Sequence, residues 1–389
     1  MERYDSSDLA RHGIQMIDPH AVYVAREVNL ARISTEGVTL MPGTRISGSE
    51  TLLCAGSTVG GLGPVVLHDV ALGVGAQVQR GSAVRATLLN GAELGPDAHV
   101  RFGTVLEECA STAHATGLKQ TIMNAFACVG SNVNLCDCYL GGGRSQTDHS
   151  EVGSGFIHFN FTPFGEQGDK ATASVFGPVP KSVLLDAERV FLGGAGGVVG
   201  PVELGFGSVL AAGGVYRKSY GDGQMVLGEP ARAKVVSLRA GFVPGIRRRL
   251  VATRSYIGQL MSLISWYRSV RLERAANIWE KQLIEHALER LDEGVKERLK
   301  QGDRLIGGVG SVDEGSVDAA AVAAWPSWCQ SLKGYTPPPP PKVLAAAVSG
   351  AGAHVDWVRA LSQDVAVQAE GWLAGIAEGL PALGTTPPR

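Results

Sequence analysis

Two histidines, His149 and His158, carry the side chains best suited to take a proton near neutral pH. His158 stands two residues before Asn160, and on a strand, where side chains alternate, the pair projects to one side and reaches one substrate. His149 follows Asp148 and lies beside the turn Gly141-Gly142-Gly143-Arg144. Lys119, Lys170 and Arg144 lie in or next to segments read as loops, where cations can meet a diphosphate. This set suits general-base chemistry on a bound substrate. Such a reaction needs a base at the attacking amine or hydroxyl, donors for the charge that develops, and a bare groove for an extended partner. Glycines and alanines at 193–197 and 211–214 offer such a surface, with Gly193, Gly194, Ala195, Ala211 and Ala212 as the backbone against which an extended cofactor lies. A packing or surface role is the competing reading for each histidine.

The elements that must position these groups follow a six-residue period. Leu72, Val78 and Val84 are in one register, and Leu94, Val100 and Leu106 in another. Ala76, Ser82, Ala98 and Thr104, each four residues after an aliphatic position, are small enough for a corner. Residues 190–213 and 153–163 repeat the pattern with glycine between. Coils of this kind stack only on copies of themselves, which predicts a hexapeptide-repeat parallel β-helix, mainly β, over residues 17–240. With three hexads per coil, about ten coils at roughly 4.8 Å make a rod of about 50 Å. Residues 111–126 lack hexads and 162–188 carry charges and prolines, so both are expected to loop out.

The count of 52 glycines is well above average usage, while helix-favouring residues concentrate late, so a glycine-rich front and a helical rear are expected. Ile257, Leu260, Ile264 and Tyr267, then Ile284, Leu288, Leu291, Val295 and Leu299, have helical spacing and predict an amphipathic α-helical arm over 241–305. Residues 1–16 read as an N-terminal extension, 306–341 as a flexible linker ending in five prolines, and 342–389 as a small helical tail. A net charge of −2 gives no global footprint for nucleic acid. Six cysteines without a disulfide or zinc spacing fit a reducing, cytoplasmic setting, and neither a signal peptide nor a membrane span is expected.

Around residues 190–213 the chain resembles the hexapeptide-repeat left-handed β-helix acyltransferase superfamily, and within it the acetyltransferase half of the bifunctional glucosamine-1-phosphate acetyltransferase and N-acetylglucosamine-1-phosphate uridyltransferase. The motifs are Val190-Phe191-Leu192-Gly193, Val199-Gly200-Pro201-Val202, Gly205-Phe206-Gly207 and Ala211-Ala212-Gly213. Gly228-Glu229-Pro230-Ala231-Arg232 is similar to the sequence that closes many such helices. The resemblance covers residues 120–240 well, the earlier coils in pattern only, and the C-terminal third not at all. It implies acetyl-CoA as acyl donor, an amino sugar or sugar nucleotide as acceptor, and a homotrimer. It places Asn160 and Tyr139 on substrate-contacting positions. Two departures stand out: the family's catalytic histidine, three residues before the tyrosine, is here Cys136, and the Gly-rich opening of the nucleotidyltransferase half has no counterpart in residues 1–45.

Two other function classes compete. Carbonic anhydrases built on the same helix hold zinc through three histidines, and here His114 and His149 are 35 apart, close to two coils, with His158 nine further on. No metal is expected under the acyltransferase reading. The third class is a non-catalytic sugar-nucleotide-binding protein or scaffold, which Cys136 and the added C-terminal segments support.

Overall fold

The structure is a computed structural model that describes residues 2–163, 168–228, 235, 237, 242–310, 316–349 and 352–383. Residues 229–232 of the closing motif lie outside the described residues.

The hexads build a parallel β-solenoid of eleven rungs. Most rungs contribute one short stretch of strand to each of three faces, and the terminal ones fewer. One face is an eleven-stranded sheet running from Gln15–Met16 through Thr39–Leu40 and Glu93–Leu94 to Met225–Val226. The other two share one sheet, because the strands Gly117–Met123 and Asn134–Leu140 run across the corner between them. In chain order from the eleven-stranded sheet, the first of these includes Thr44–Ser47, Ala98–Arg101 and Ile157–Phe159, and the second Leu52–Leu53, Thr104–Leu106 and Ser174–Phe176. We call them the exposed face and the covered face.

Inside the prism the aliphatic positions stack rung on rung. Leu40, Val59, Val78, Leu94, Val129, Val152, Leu192 and Leu210 form one such column, each at most 1% exposed. Each such burial is worth about 1.5–3 kcal/mol before the entropy of ordering the chain is set against it. The corners require left-handed backbone, and residues other than glycine take it repeatedly. At the corner between the exposed and covered faces these are Asp69 (φ 50), Arg85 (φ 47), Gln120 (φ 47) and Asp137 (φ 58).

On the covered face the outward ladder Leu52, Ala71, Thr87, Val105, Ile122, Tyr139 and Val175 is fully buried. Helices seal it. In chain order the helices are α1 (Ser6–Arg11), α2 (Val179–Ser182), α3 (Ile246–Trp266), α4 (Ile278–Gly307), α5 (Val317–Lys333), α6 (Lys342–Ala347), α7 (His354–Arg359) and α8 (Gln363–Glu378). The amphipathic stripe read from Ile257 to Leu299 belongs to α3 and α4, joined through a π-helical turn at Tyr267–Arg271, and its apolar side packs on this face.

Four segments differ from expectation. Residues 111–126 do not loop out: they hold the strands Ser111–Thr112 and Gly117–Met123, with Ala115 and Gln120 turning the corners that a glycine-based template assigns to glycine. Within 306–341 lies α5, capped by Ser316 Oγ accepting from Ala319 N–H at 3.1 Å and anchored by buried Trp325 and Trp328. At the start, α1 inserts Leu9, 1% exposed, into the end of the solenoid core. Between 162 and 188, Ser174–Phe176 returns to the covered face. The excursion with least sequence signal is a hairpin, Gly143–Ser145 with Asp148–His149, which carries a site histidine.

Candidate functional site

Adjacent coils stack Arg101, Lys119 and Cys136 in one outward column on the exposed face, next to its corner with the covered face. Arg101 Nη2 lies 3.6 Å from Cys136 Sγ, and Lys119 Nζ sits 4.8 Å from the Phe102 ring centroid. Cys136 is 6% exposed. Burial, and then the Asp137 carboxylate, push its thiol above the usual range against the opposing pull of Arg101 and Lys119, so it is a protonated thiol at neutral pH.

Behind the column runs a buried polar chain. Asn160 Nδ2 donates to Asp137 Oδ2 at 2.5 Å, and Arg298 of α4 donates to Asp137 Oδ1 at 2.6 Å and to Gln120 Oε1 at 2.8 Å. Arg298 Nη1 also donates to the Lys170 carbonyl at 3.3 Å. The loop beyond Asn160 is held the same way: Asp169 pairs with Arg249 of α3 and accepts from Thr162 Oγ1. Lys119 and Asn160 therefore meet at the corner that bears Cys136, and Lys170 joins it through its backbone carbonyl.

His158 lies beneath this corner, 2% exposed. Its Nδ1 is 2.5 Å from the Cys136 carbonyl, which only accepts, so Nδ1 carries the proton. Nε2 then accepts from Ser174 Oγ at 2.8 Å, while Ser174 Oγ accepts from Val202 N–H at 3.0 Å. Burial lowers the imidazole pKa, helped by Arg298. Both ring nitrogens are engaged and the ring stays neutral. His158 and Asn160 do not face one space: Asn160 joins the chain to Asp137, and His158 turns inward.

The other predicted site residues lie elsewhere. Tyr139, fully buried, faces the helices on the covered face. Arg144 and His149 are on the hairpin, where Arg144 pairs with Asp148 at 3.3 Å and His149 Nδ1 donates to the Ser150 carbonyl at 3.2 Å. His149 is half-buried. Gly193, Gly194 and Ala195 turn the corner into the exposed face. A Cβ on Gly193 would stand 2.4 Å from Ala212 N and one on Gly194 2.7 Å from the Ser154 carbonyl oxygen, so coil stacking itself demands glycine there. Ala195 and Ala212 are exposed on this corner, while Ala211 N–H donates to the Val226 carbonyl at 3.0 Å. His114 hydrogen-bonds Ser131 Oγ at 2.8 Å, and no group of three metal-ligating side chains forms among the described residues of one protomer.

Comparison with known proteins accounts for the solenoid. The sequence is 27% identical over 233 residues to the bifunctional protein GlmU of Clavibacter sepedonicus, covering 60% of this chain and 42% of that one. The chain is a homologue of the bifunctional proteins GlmU. GlmU of Nocardia farcinica is 28% identical over 228 residues, 58% of this chain and 40% of the relative, and GlmU of Kineococcus radiotolerans is 29% identical over 218 residues. The chain thus spans about two fifths of the length of the GlmU proteins it matches. No protein-family model matches it.

Sequence reasoning missed Arg101, Phe102, Gln120, Asp137 and Arg298. Gln120 and Asp137 occupy left-handed corners, where a side chain in place of glycine is the available signal, and Arg298 is brought to them only by the tertiary packing of α4.

Proposed function

We propose that the chain is a cytoplasmic acyl-CoA-dependent transferase, using acetyl-CoA on an amino sugar or a sugar nucleotide. The observation that carries this reading is that Lys119 and Asn160 share the corner that bears Cys136, the position of the base in the family that the sequence resembles, within a chain homologous to GlmU. Lys119 and Lys170 hold the anionic part of the acceptor and Asn160 orients it. His149 takes the acceptor's proton, because its Nδ1–H is committed to a carbonyl and Nε2 keeps its lone pair. The glycine and alanine corner at Gly193, Gly194, Ala195, Ala211 and Ala212 lies along the donor. His149 and Lys119 come from different corners of one rod, so the reading requires a homotrimer in which neighbouring rods bring them together. Exposed Val66, Ile157, Phe159 and Val215 on the exposed face support such association, since the covered face is already sealed.

A second reading is a non-catalytic sugar-nucleotide binder. Two observations favour it: Cys136 holds a protonated thiol where the resemblance puts a histidine, and Tyr139 is shut beneath the helices.

The deciding experiment incubates the purified protein with acetyl-CoA and a panel of amino sugars and UDP-amino sugars, following free coenzyme A and acceptor mass, with oligomeric state from light scattering. Turnover that falls at least about 100-fold in His149→Ala, from a trimer, supports the transferase. UDP-sugar binding without turnover for any acceptor overturns it in favour of the second reading.

A further inference from the structure

A cleft of about 500 Å³ lies between α4 and the corner of the exposed face, within the roughly 300–1,000 Å³ typical of small-molecule sites. The solenoid supplies Val84, Arg85 and Phe102, and α4 supplies Glu293, Lys296, Glu297 and Lys300. The four helix residues are spaced i, i+3, i+4 and i+7 and so share one face of α4. Lys119 lies over Phe102 and brings a further ammonium to the cleft's edge.

Charge decides what such a cleft takes. Both carboxylates are already engaged: Glu293 pairs with Arg85 and with Arg290, and Glu297 accepts from Gln301 Nε2 at 2.6 Å and pairs with Lys300 at 3.8 Å. Lys119 and Lys296 have no carboxylate within 4.0 Å among the described residues, and Lys296 and Lys300 are exposed. Arg85 and Lys300 are themselves partners of those carboxylates, so the free cations are Lys119 and Lys296, with exposed Lys300 held to Glu297 only at 3.8 Å; together with the Phe102 ring they leave a site for a polyanion that carries a flat, stackable group. Base stacking on an aromatic side chain tolerates any base, and ammonium groups bind phosphate as point charges.

We propose that this cleft binds a nucleoside diphosphate, with its base on Phe102 and its phosphates held by Lys119, Lys296 and Lys300. The inference rests on the reading above in one respect: acyl-CoA and sugar nucleotides both present this group. The site itself uses α4, a helix outside the solenoid, and it places a ligand at the rod–helix seam within one protomer.

Calorimetric titration of the full chain tests it, with ADP, UDP, coenzyme A, UDP-N-acetylglucosamine and inorganic pyrophosphate as probes. The expected result is saturable binding of the nucleoside diphosphates, weakened about tenfold by each of Lys296→Ala and Lys300→Ala. Phe102→Ala weakens ADP and UDP while leaving pyrophosphate unchanged. Tighter binding of coenzyme A identifies the acyl donor as the source, and tighter binding of the UDP-sugar identifies the acceptor. Absence of nucleotide binding, or binding that neither the two lysine variants nor Phe102→Ala alters, overturns the proposal. Nucleotide binding at the cleft without acyl transfer would sink the transferase and keep the site. Acyl transfer with lysine variants indistinguishable from wild type would do the reverse.

Discussion

Arg298 reaches out of α4 to place Nη2 2.6 Å from Asp137 Oδ1, and Asp137 occupies a left-handed corner of the solenoid at φ 58. The corner conformation turns the aspartate's side chain outward to the helix, and the helix returns a guanidinium that also donates to Gln120 Oε1, at φ 47 on the neighbouring coil. Two positions where glycine would be the unstrained choice thus become the docking points of the C-terminal half. Arg85, at φ 47 on the same corner, meets Glu293 of α4 in the same manner.

Removing Arg298 therefore strands a charge. The pair is 3% and 2% exposed, so Arg298→Leu leaves a buried carboxylate without its cation and is expected to cost about 3–5 kcal/mol. Asp137→Gly removes the carboxylate and relieves the backbone at the same position, yet leaves Arg298 uncompensated. Reversing both, in Asp137→Gly with Arg298→Leu, is expected to recover most of the loss. Denaturant unfolding of the four proteins measures the cycle. Independent, additive losses would show that the two groups do not act as a pair.

The second prediction concerns pH. Arg271, 4% exposed, sits between buried Glu107 and partly buried Glu108, with Nη1 2.7 Å from Glu108 Oε1 and Nη2 3.1 Å from Glu107 Oε2. One cation cannot hold two charges in this setting. Glu108 ionises readily: although burial opposes it, Arg271 draws its pKa down to about 2. Glu107 is raised, chiefly by burial and with Glu108 adding to it, and keeps its proton beyond the ordinary carboxylate range. The signs are opposite. Glu108 stabilises above the ordinary carboxylate pKa, and that contribution is lost as pH falls towards about 2. Glu107 contributes fully at low pH, and its contribution is lost as pH rises through its elevated value. Glu107→Gln, which keeps the neutral form and its contacts with Asn124 and Tyr267, is expected to gain stability over wild type as pH rises. Glu108→Gln should lose most near neutrality and least near pH 2–3, the window its lowered pKa sets. Urea midpoints across pH check both, and parallel curves for the two variants would contradict the assignment.

How much of this was legible in the sequence depends on the range of the interaction. The period that sets Leu94, Val100 and Leu106 in register is local, because each coil stacks on the next, and the solenoid follows from it; in the earlier block Leu72 and Val78 turn inward as expected, but Ala83 takes the inward place expected of Val84, which faces outward. The helical stripe from Ile257 to Leu299 is equally local. The covering of Tyr139 was not, since it depends on α3, α4 and α8 folding back over the second face, a contact between residues more than a hundred positions apart. The same distance hid Arg298 from Asp137. His158 was legible as a histidine on a strand, but the direction of its ring is set by an excursion of the chain that returns Ser174 to the covered face.

The last prediction uses a glycine to test the packing of that helical layer. A Cβ on Gly258 in α3 would lie 2.1 Å from the Ala377 carbonyl oxygen of α8, a contact with backbone that no rotamer change can relieve. Nearby, Ser262 Oγ donates to the Leu373 carbonyl at 3.1 Å, so the two helices meet backbone to backbone along this line. In a helix interior, alanine for glycine is otherwise favourable by about 0.5–1 kcal/mol. A Cβ added to Gly371 in α8 would have nothing within 4 Å, so Gly371→Ala should realise that gain. Gly258→Ala should instead force α8 away and cost about 1–3 kcal/mol, the range for overpacking a tight contact. The two substitutions are chemically identical and both sit inside helices, so propensity predicts the same sign and only the approach of α3 to α8 predicts opposite signs. Thermal unfolding of both variants separates these outcomes: a gain in both would mean that α8 stands further from α3 than this packing requires.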